Sequence, residues 1–494
     1  MYTPELILAL QCQAVVLVLT VLIGTFVLRV PWTAAMWAGL LFNSLPVTSP
    51  PGYESPLFIH DLLLPVLAGL TLVGRAWTRD RLIWLVVATA LVWPMTGSLV
   101  ALSFGEDSNH WIAFGVRRVG FILFFVIGVS GMLRSIRATD FLDCCVLAWV
   151  LMLVPALLQY FGIIDTDIHP IEEDHLRGLS IWESAAAQRG FLGLNRGAVG
   201  VWGSAIASYC LVNFFLNQRP GRARWVLYNL GAVLSYVVIL FSGTRTGLLA
   251  AAASALFVGL RVIGVRNQVR PMRVVTFGAV TVLAGVYLLG PVVTRIAERF
   301  SVESAALGTG QSRVGVQMET LRYVAGDTRA AVLGMGPSVS QFYDRVGQNT
   351  EDFLQHPHSE FVEILWQTGV PGLLLYLVML GTFYFGIAMP RTSRFYRESL
   401  AGQSMLVAGL ISGIAVGNIM ITTSRLATFG MLMAFVYGRL IWDMRAARSE
   451  AAAEFDAPAD EEADEQSAGD ELANIIELPE PALARAGNRM ENLR

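Results

Sequence analysis

Charge is what this chain has least of. Only 15% of its 494 residues are charged, against 54% that are hydrophobic. Soluble domains carry about 25% charged residues, so an ordinary globular fold is excluded and a polytopic membrane protein takes its place. Cysteine is scarce as well: Cys12, Cys144, Cys145 and Cys210 all fall in apolar runs. They read as packing residues and imply no disulfide framework. A charged n-region with a small-residue cleavage site is missing from "MYTPELILALQCQAVVLVLTVLIGTFVLRV", which is therefore expected to stay as a first span. Acidic residues within the apolar runs are few, Asp61 in "FIHDLLLP" being the main one. That scarcity weighs against a proton-coupled carrier.

What the chain has in quantity is apolar runs near bilayer length. They lie at about 6–28, 57–74, 82–103, 111–133, 141–162, 192–216, 225–241, 246–263, 273–291, 368–389, 400–421 and 425–442. The expected fold is all-α, with about twelve transmembrane helices over residues 1–444. Arginines mark alternate loops, as in "GRAWTRDRL", "LRSIRATD", "NQRPGRARW", "RVIGVRNQVRPMR", "MPRTSRFYRE" and "DMRAARSE". The positive-inside rule makes these loops and both termini cytoplasmic. "PWTAAMWAGLLFNSLP", residues 31–46, is short and Trp-bearing. It reads as an interfacial or re-entrant segment, with a thirteenth span as the alternative.

Two long loops, residues 163–191 and 292–367, then face the periplasm. The second contains an amphipathic stretch "SRVGVQMETLRYVAGD" and a Gly-rich turn "LGMGPS". The "GMG" at 334–336 follows no strand, so it is a turn and no dinucleotide fingerprint. Past residue 444 the composition changes. From Ala451 to Arg494 twelve Asp and Glu face three Arg. That tail carries −9, and the chain total of −3 leaves +6 on the membrane body. Residues 445–494 are expected to remain an unfolded acidic cytoplasmic tail.

Charges retained at the outer ends of spans are candidates for function. Arg117 and Arg118 sit in "HWIAFGVRRVGF", Arg189 and Arg196 in "AAAQRGFLGLNRGAVG", Arg245 in the tight turn "FSGTRTGLLAA", and Arg313 opens the amphipathic stretch. A guanidinium stays charged and matches phosphate oxygens with two donors, so a cluster of them suits a phosphate-bearing ligand. The competing reading for any single arginine is snorkelling to headgroups. His358, in "HPHSEFVEILWQTGVPG", stands some ten residues before an apolar run. A histidine titrates at about 6.5 and can take a proton from a hydroxyl or orient it. "IIDTDIHPIEEDH", residues 163–175, offers Asp165, Asp167, His169 and His175 as oxygen and imidazole donors for a divalent metal. The simpler reading is a solvated acidic loop, and no cofactor or metal is expected.

The order "SGTRTG", "QSRVGVQMETL", "LGMGPS", His with a small polar residue, then "GVPGLLLYL" across residues 190–380 resembles the O-antigen ligase and polymerase superfamily of bacterial envelopes. The resemblance implies glycan transfer at the periplasmic face of the inner membrane from an undecaprenyl diphosphate-linked donor. It implies no nucleotide sugar, metal, cofactor or nucleic acid. Carried over, Arg245 and Arg313 hold the diphosphate, Arg189 or Arg196 matches a further arginine more loosely, and His358 serves the acceptor hydroxyl, with Arg245 beside it in catalysis; Arg118, from its place in a span, is added to the diphosphate-binding set. The acceptor is lipid A-core for a ligase or a growing glycan for a polymerase of O-antigen or exopolysaccharide; membrane lipids surround both. The chain departs from the commoner His-Asn pair by having His358-Ser359 and an extra His356. Alternatives are a protein O-oligosaccharyltransferase of the same superfamily and a transporter for an anionic solute.

Overall fold

The computed structural model describes residues 4–42, 46–48, 57–58, 66, 69, 80–103, 109–130, 136–160, 196–217, 220–242, 244–263, 309–337, 342, 344–346, 357, 359–415 and 427–456. The chain divides into two compact units, Met1–Met444 and Arg445–Arg494. Among the described residues, helices form where the apolar runs lie. These are α1 (Pro4–Phe26), α2 (Trp32–Phe42), α3 (Arg81–Val87), α4 (Trp93–Leu102), α5 (Asn109–Val129), α6 (Ala138–Tyr160), α7 (Arg196–Leu216), α8 (Arg222–Ser242) and α9 (Arg245–Ile263). Then follow α10 (Thr309–Gly326), α11 (Thr328–Leu333), α12 (Glu360–Gly386), α13 (Tyr396–Ala415) and α14 (Ala427–Asp456). Among the described residues the exception to an all-helical fold is a small antiparallel pair, Pro46–Thr48 with Leu57–Phe58. The runs at 57–74 and 273–291 lie mostly or wholly outside the described residues, as does loop 163–191.

Four of these helical stretches are long and apolar enough to cross a bilayer: Arg81–Val100, Val199–Leu216, Arg222–Leu240 and Glu360–Gly386. Leu249, Leu256 and Leu260 on α9, and Leu374, Leu377 and Val378 on α12, are large apolar residues that the fold leaves exposed. Their helical spacing makes lipid-facing stripes. The segment from Trp32 is a helix of 11 residues, about 16 Å long and too short to span. Its Ala34, Ala35 and Ala38 are buried, and α2 packs on α1 and α6. The last helix continues past the apolar run to Asp456, through "AARSEAAAEF", because alanine, arginine and glutamate all favour helix.

The buried α7 lies at the centre of the bundle and touches α8, α9 and α13. Small residues let its neighbours approach. A methyl on Gly200 would come within 3.0 Å of Gly247 Cα, and one on Gly247 within 2.7 Å of Gly200 Cα. Toward the other end of α7, Tyr209 and Tyr228 both donate to the buried Asp143 Oδ1, at 2.8 and 2.9 Å, and Arg224 Nε lies 2.9 Å from Asp143 Oδ2. A second ion pair joins Arg224 to Asp140 at 2.8 Å. This network locks α6, α7 and α8 in register, and every member of it has a partner of complementary character.

Candidate active site

Two prolines inside helices organise the rest. A proline lacks the N–H that would bond the carbonyl four residues earlier and crowds that carbonyl as well. For Pro94 the carbonyl is that of Ala90. The chain responds with a π-helical turn over Ala88–Val92, in which the Trp93 N–H reaches back to Ala88 O. Such π turns leave carbonyls turned away from the helix ladder. Ala90 O accepts instead from Arg118 Nη1 at 3.2 Å.

For Pro371 the freed carbonyl is that of Gln367, and here the helix breaks outright. Gly369 has φ 68° and ψ −175°, a region open to glycine alone. The carbonyls of Trp366, Gln367 and Thr368 then lack their helical partners, which buried backbone cannot tolerate. Each is satisfied from outside. Met335 N–H donates to Trp366 O at 2.7 Å and Gly336 N–H to Gln367 O at 3.1 Å. Trp93 Nε1–H donates to Thr368 O at 2.7 Å. The "LGMGPS" turn is thus the cap of a broken helix. Close backbone approach explains its neighbours: a methyl on Gly97 would come within 2.0 Å of Gln367 O, and one on Gly334 within 2.4 Å of the same atom.

The break folds α12 back on itself. Glu360 and Tyr376 are 16 residues apart, which in a straight helix is about 24 Å. Yet Tyr376 O–H donates to Glu360 Oε1 at 2.6 Å, and the rings of Phe361 and Tyr376 lie 6.2 Å apart. A first arm, residues 360–368, therefore turns at Gly369 into a second, apolar arm that runs to Gly386. The first arm is held by buried polar groups. Arg118 Nη2 donates to Gln367 Oε1 at 3.0 Å, and Gln367 Nε2 donates to Glu363 Oε1 at 3.0 Å. All three side chains are buried, with the Glu363 carboxylate in electrostatic reach of Arg118. Against the arm's other side, Trp366 packs with Tyr323 and Phe342, ring centroids 5.4 and 5.1 Å away.

The arm begins beside the ends of α7 and α9. Arg397, early in α13, acts electrostatically on Tyr209, late in α7, and Met405 lines a small cavity with Trp202 and Tyr209. So α13 runs antiparallel to α7, and its Gly413 end is the Arg196 end of α7. There Ser359 Oγ lies 3.4 Å from Gly413 O, and a methyl on Gly413 would come within 3.3 Å of Glu360 Oε2. The Gly200–Gly247 contact puts Arg196 and Arg245, each the first residue of its helix, within about one turn of one crossing point.

Of the sequence candidates, then, the fold gathers the backbones of Arg196 and Arg245 at one end of the bundle with Ser359, the residue after His358. Arg313 is in α10, which packs on α11 and on the first arm of α12. Arg118 is engaged with Ala90 and Gln367. Arg189, His356, His358, Asp61 and the 163–175 segment lie outside the described residues. Sequence reasoning passed over Glu360, Glu363, Gln367 and Tyr376, although "HSEFVEILWQTGVPG" spaces three of them at i, i+3 and i+7, along one side of a helix. It also passed over the buried Asp143.

Residues 230–377, from mid-α8 through the break in α12, match the family described as O-antigen ligase. That match covers one stretch of the chain and supports the O-antigen ligase and polymerase superfamily. The matched stretch contains the "SGTRTG" turn, α10, the "LGMGPS" cap and the break in α12, while α7 with Arg196, the π turn and Arg118 lie outside it. The family implies a glycosyl-transferring enzyme of envelope polysaccharide biosynthesis. No curated protein matches the chain.

Proposed function

We propose that the protein transfers a glycan from an undecaprenyl diphosphate-linked donor to an acceptor hydroxyl at the periplasmic face of the inner membrane, as an O-antigen ligase or a polymerase of O-antigen or exopolysaccharide. The observation that supports this best is the convergence of the first residues of α7 and α9, Arg196 and Arg245, beside the segment that follows His358. Helix N-termini carry about +0.5 of a charge each, and two of them headed by guanidiniums make an anion seat. Arg245, Arg196, Arg189 and Arg313 grip the diphosphate in this reading. Arg118 acts through Gln367 as a positioning residue for the arm that follows His358 in the chain, because its Nη groups already serve Ala90 and Gln367.

The chemistry is a single displacement. The acceptor oxygen forms a bond to the anomeric carbon, the bond from that carbon to the diphosphate oxygen breaks, and the configuration inverts. His358 takes the hydroxyl proton as the bond forms. Negative charge grows on the leaving undecaprenyl diphosphate, where guanidiniums fixed beforehand stabilise it without help from a metal. Glu360 Oε1 accepts from Tyr376 and Glu363 Oε1 from Gln367, which fixes both carboxylates within the fold-back.

Retention of undecaprenyl diphosphate tests the seat. Native mass spectrometry of the purified protein is expected to show the lipid bound, and an Arg196→Ala/Arg245→Ala variant is expected to lose it. Equal retention by the two proteins would place the diphosphate elsewhere.

A further inference from the structure

Helix α10 is apolar on two sides. One side, Val316, Thr320 and Val324, is buried toward the Trp366 cluster. The other carries Val314, Met318 and Leu321, which are 58%, 49% and 40% exposed. At about 100° per residue these three fall within about 60° of arc. The stripe has a charged flank, where the exposed Arg322 pairs with Glu319 at 3.3 Å. A helix bathed in water on its outer side has no use for large apolar residues at i, i+4 and i+7 there.

The surroundings say what covers the stripe. Asp327 caps α11 right after α10, accepting from the N–H groups of Arg329 and Ala330. Arg329 Nη2 then donates to Ser103 Oγ at 3.0 Å, at the end of α4. Helix α4 belongs to a bilayer-length span, and its last turns expose Leu99, at 65%, and Leu102. Val332, one turn beyond Arg329, is exposed as well. The apolar surface of α10 and α11 is therefore tied to the lipid-facing end of a span, with guanidiniums along its border where lipid phosphates lie.

We propose that α10 is an interfacial helix: Val314, Met318, Leu321 and, on α11, Val332 are seated in the leaflet that meets the Ser103 end of α4, with Arg322 at headgroup level. An amphipathic helix with an apolar face and basic flanks binds a bilayer surface in this way. The capping turn 334–336 and the first arm of α12 are then anchored to lipid through α10. This placement is independent of which glycan the protein handles.

Nitroxide labels at single cysteines test it, with Cys12 replaced by serine and the three other cysteines left buried. Met318→Cys and Leu321→Cys are compared with Leu99→Cys and Arg322→Cys in nanodiscs of phosphatidylethanolamine and phosphatidylglycerol. Power saturation with oxygen and with a water-soluble nickel chelate reads the environment. The proposal predicts that residues 318 and 321 behave like 99, with an oxygen-to-nickel accessibility ratio several-fold above that of 322. Nickel accessibility at 318 and 321 equal to that at 322 would overturn it in favour of a water-exposed face. Labels reached by neither reagent would overturn it in favour of a protein partner.

Discussion

Every one of the 35 basic residues is arginine, and the chain contains no lysine. Apart from histidine, any cationic side chain at the site is therefore a planar guanidinium fork, and Arg118 uses that shape: two of its nitrogens reach two acceptors on different helices, Ala90 O and Gln367 Oε1. A lysine offers one point of charge and cannot bridge them equally. Arg118→Met leaves Gln367 and Glu363 buried beside a lost donor, and is expected to lower stability by about 1–3 kcal/mol for the orphaned polar groups. Adding Glu363→Gln removes the buried carboxylate and should recover part of that loss, since neighbouring groups in one network are non-additive. Thermal unfolding in detergent measures both; additive losses would show that the network does not act as a unit. Arg118 stood out in the sequence because a charge in an apolar run is costly. Its partners did not, because one is 249 residues away and the other is a carbonyl freed only by Pro94.

At the scale of elements, apolar runs such as 111–133, 141–162, 225–241 and 246–263 lie within a few residues of α5, α6, α8 and α9. Length and hydropathy carry that information locally. The course of α12 was not legible in this way. "GVPG" reads as the start of a span, and α12's second arm does start there, yet nothing local says that residues 360–368 turn back along it. The fold-back depends on the cap from residues 335–336 and on Trp93, both remote in sequence. Gly369→Ala puts a β-carbon 2.6 Å from Ala331 O at a φ of 68°. Residues forced into that region cost about 1–3 kcal/mol before any clash. Gly369→Ala is expected to unfold at lower temperature and to lose activity even where it is inserted in the membrane. Wild-type stability would mean that the turn is not held as described.

For the whole molecule, the two units have different roles. The arginines, the His358 segment and both broken helices belong to residues 1–444, and the acidic tail is expected to be dispensable for transfer. Truncation after Asp456, which keeps α14 whole, is expected to leave glycan transfer within about two-fold of the full chain, a change of the size produced by surface substitutions of up to 0.5 kcal/mol. The site was partly legible at this scale: the order of weak motifs named the superfamily, and the match over residues 230–377 bears that out. What joins those motifs, a helix broken at Gly369 and capped by "LGMGPS", exists only in three dimensions. The central claim is transfer from a lipid diphosphate, and one reaction tests it directly. Purified protein in nanodiscs is given an undecaprenyl diphosphate-linked oligosaccharide, with lipid A-core in one tube and donor alone in the other, beside a His358→Ala control. A glycosylated lipid A-core, or a ladder of lengthening chains from donor alone, lost in the control, is the predicted result. No product in either tube, with the donor lipid unbound, would contradict the account.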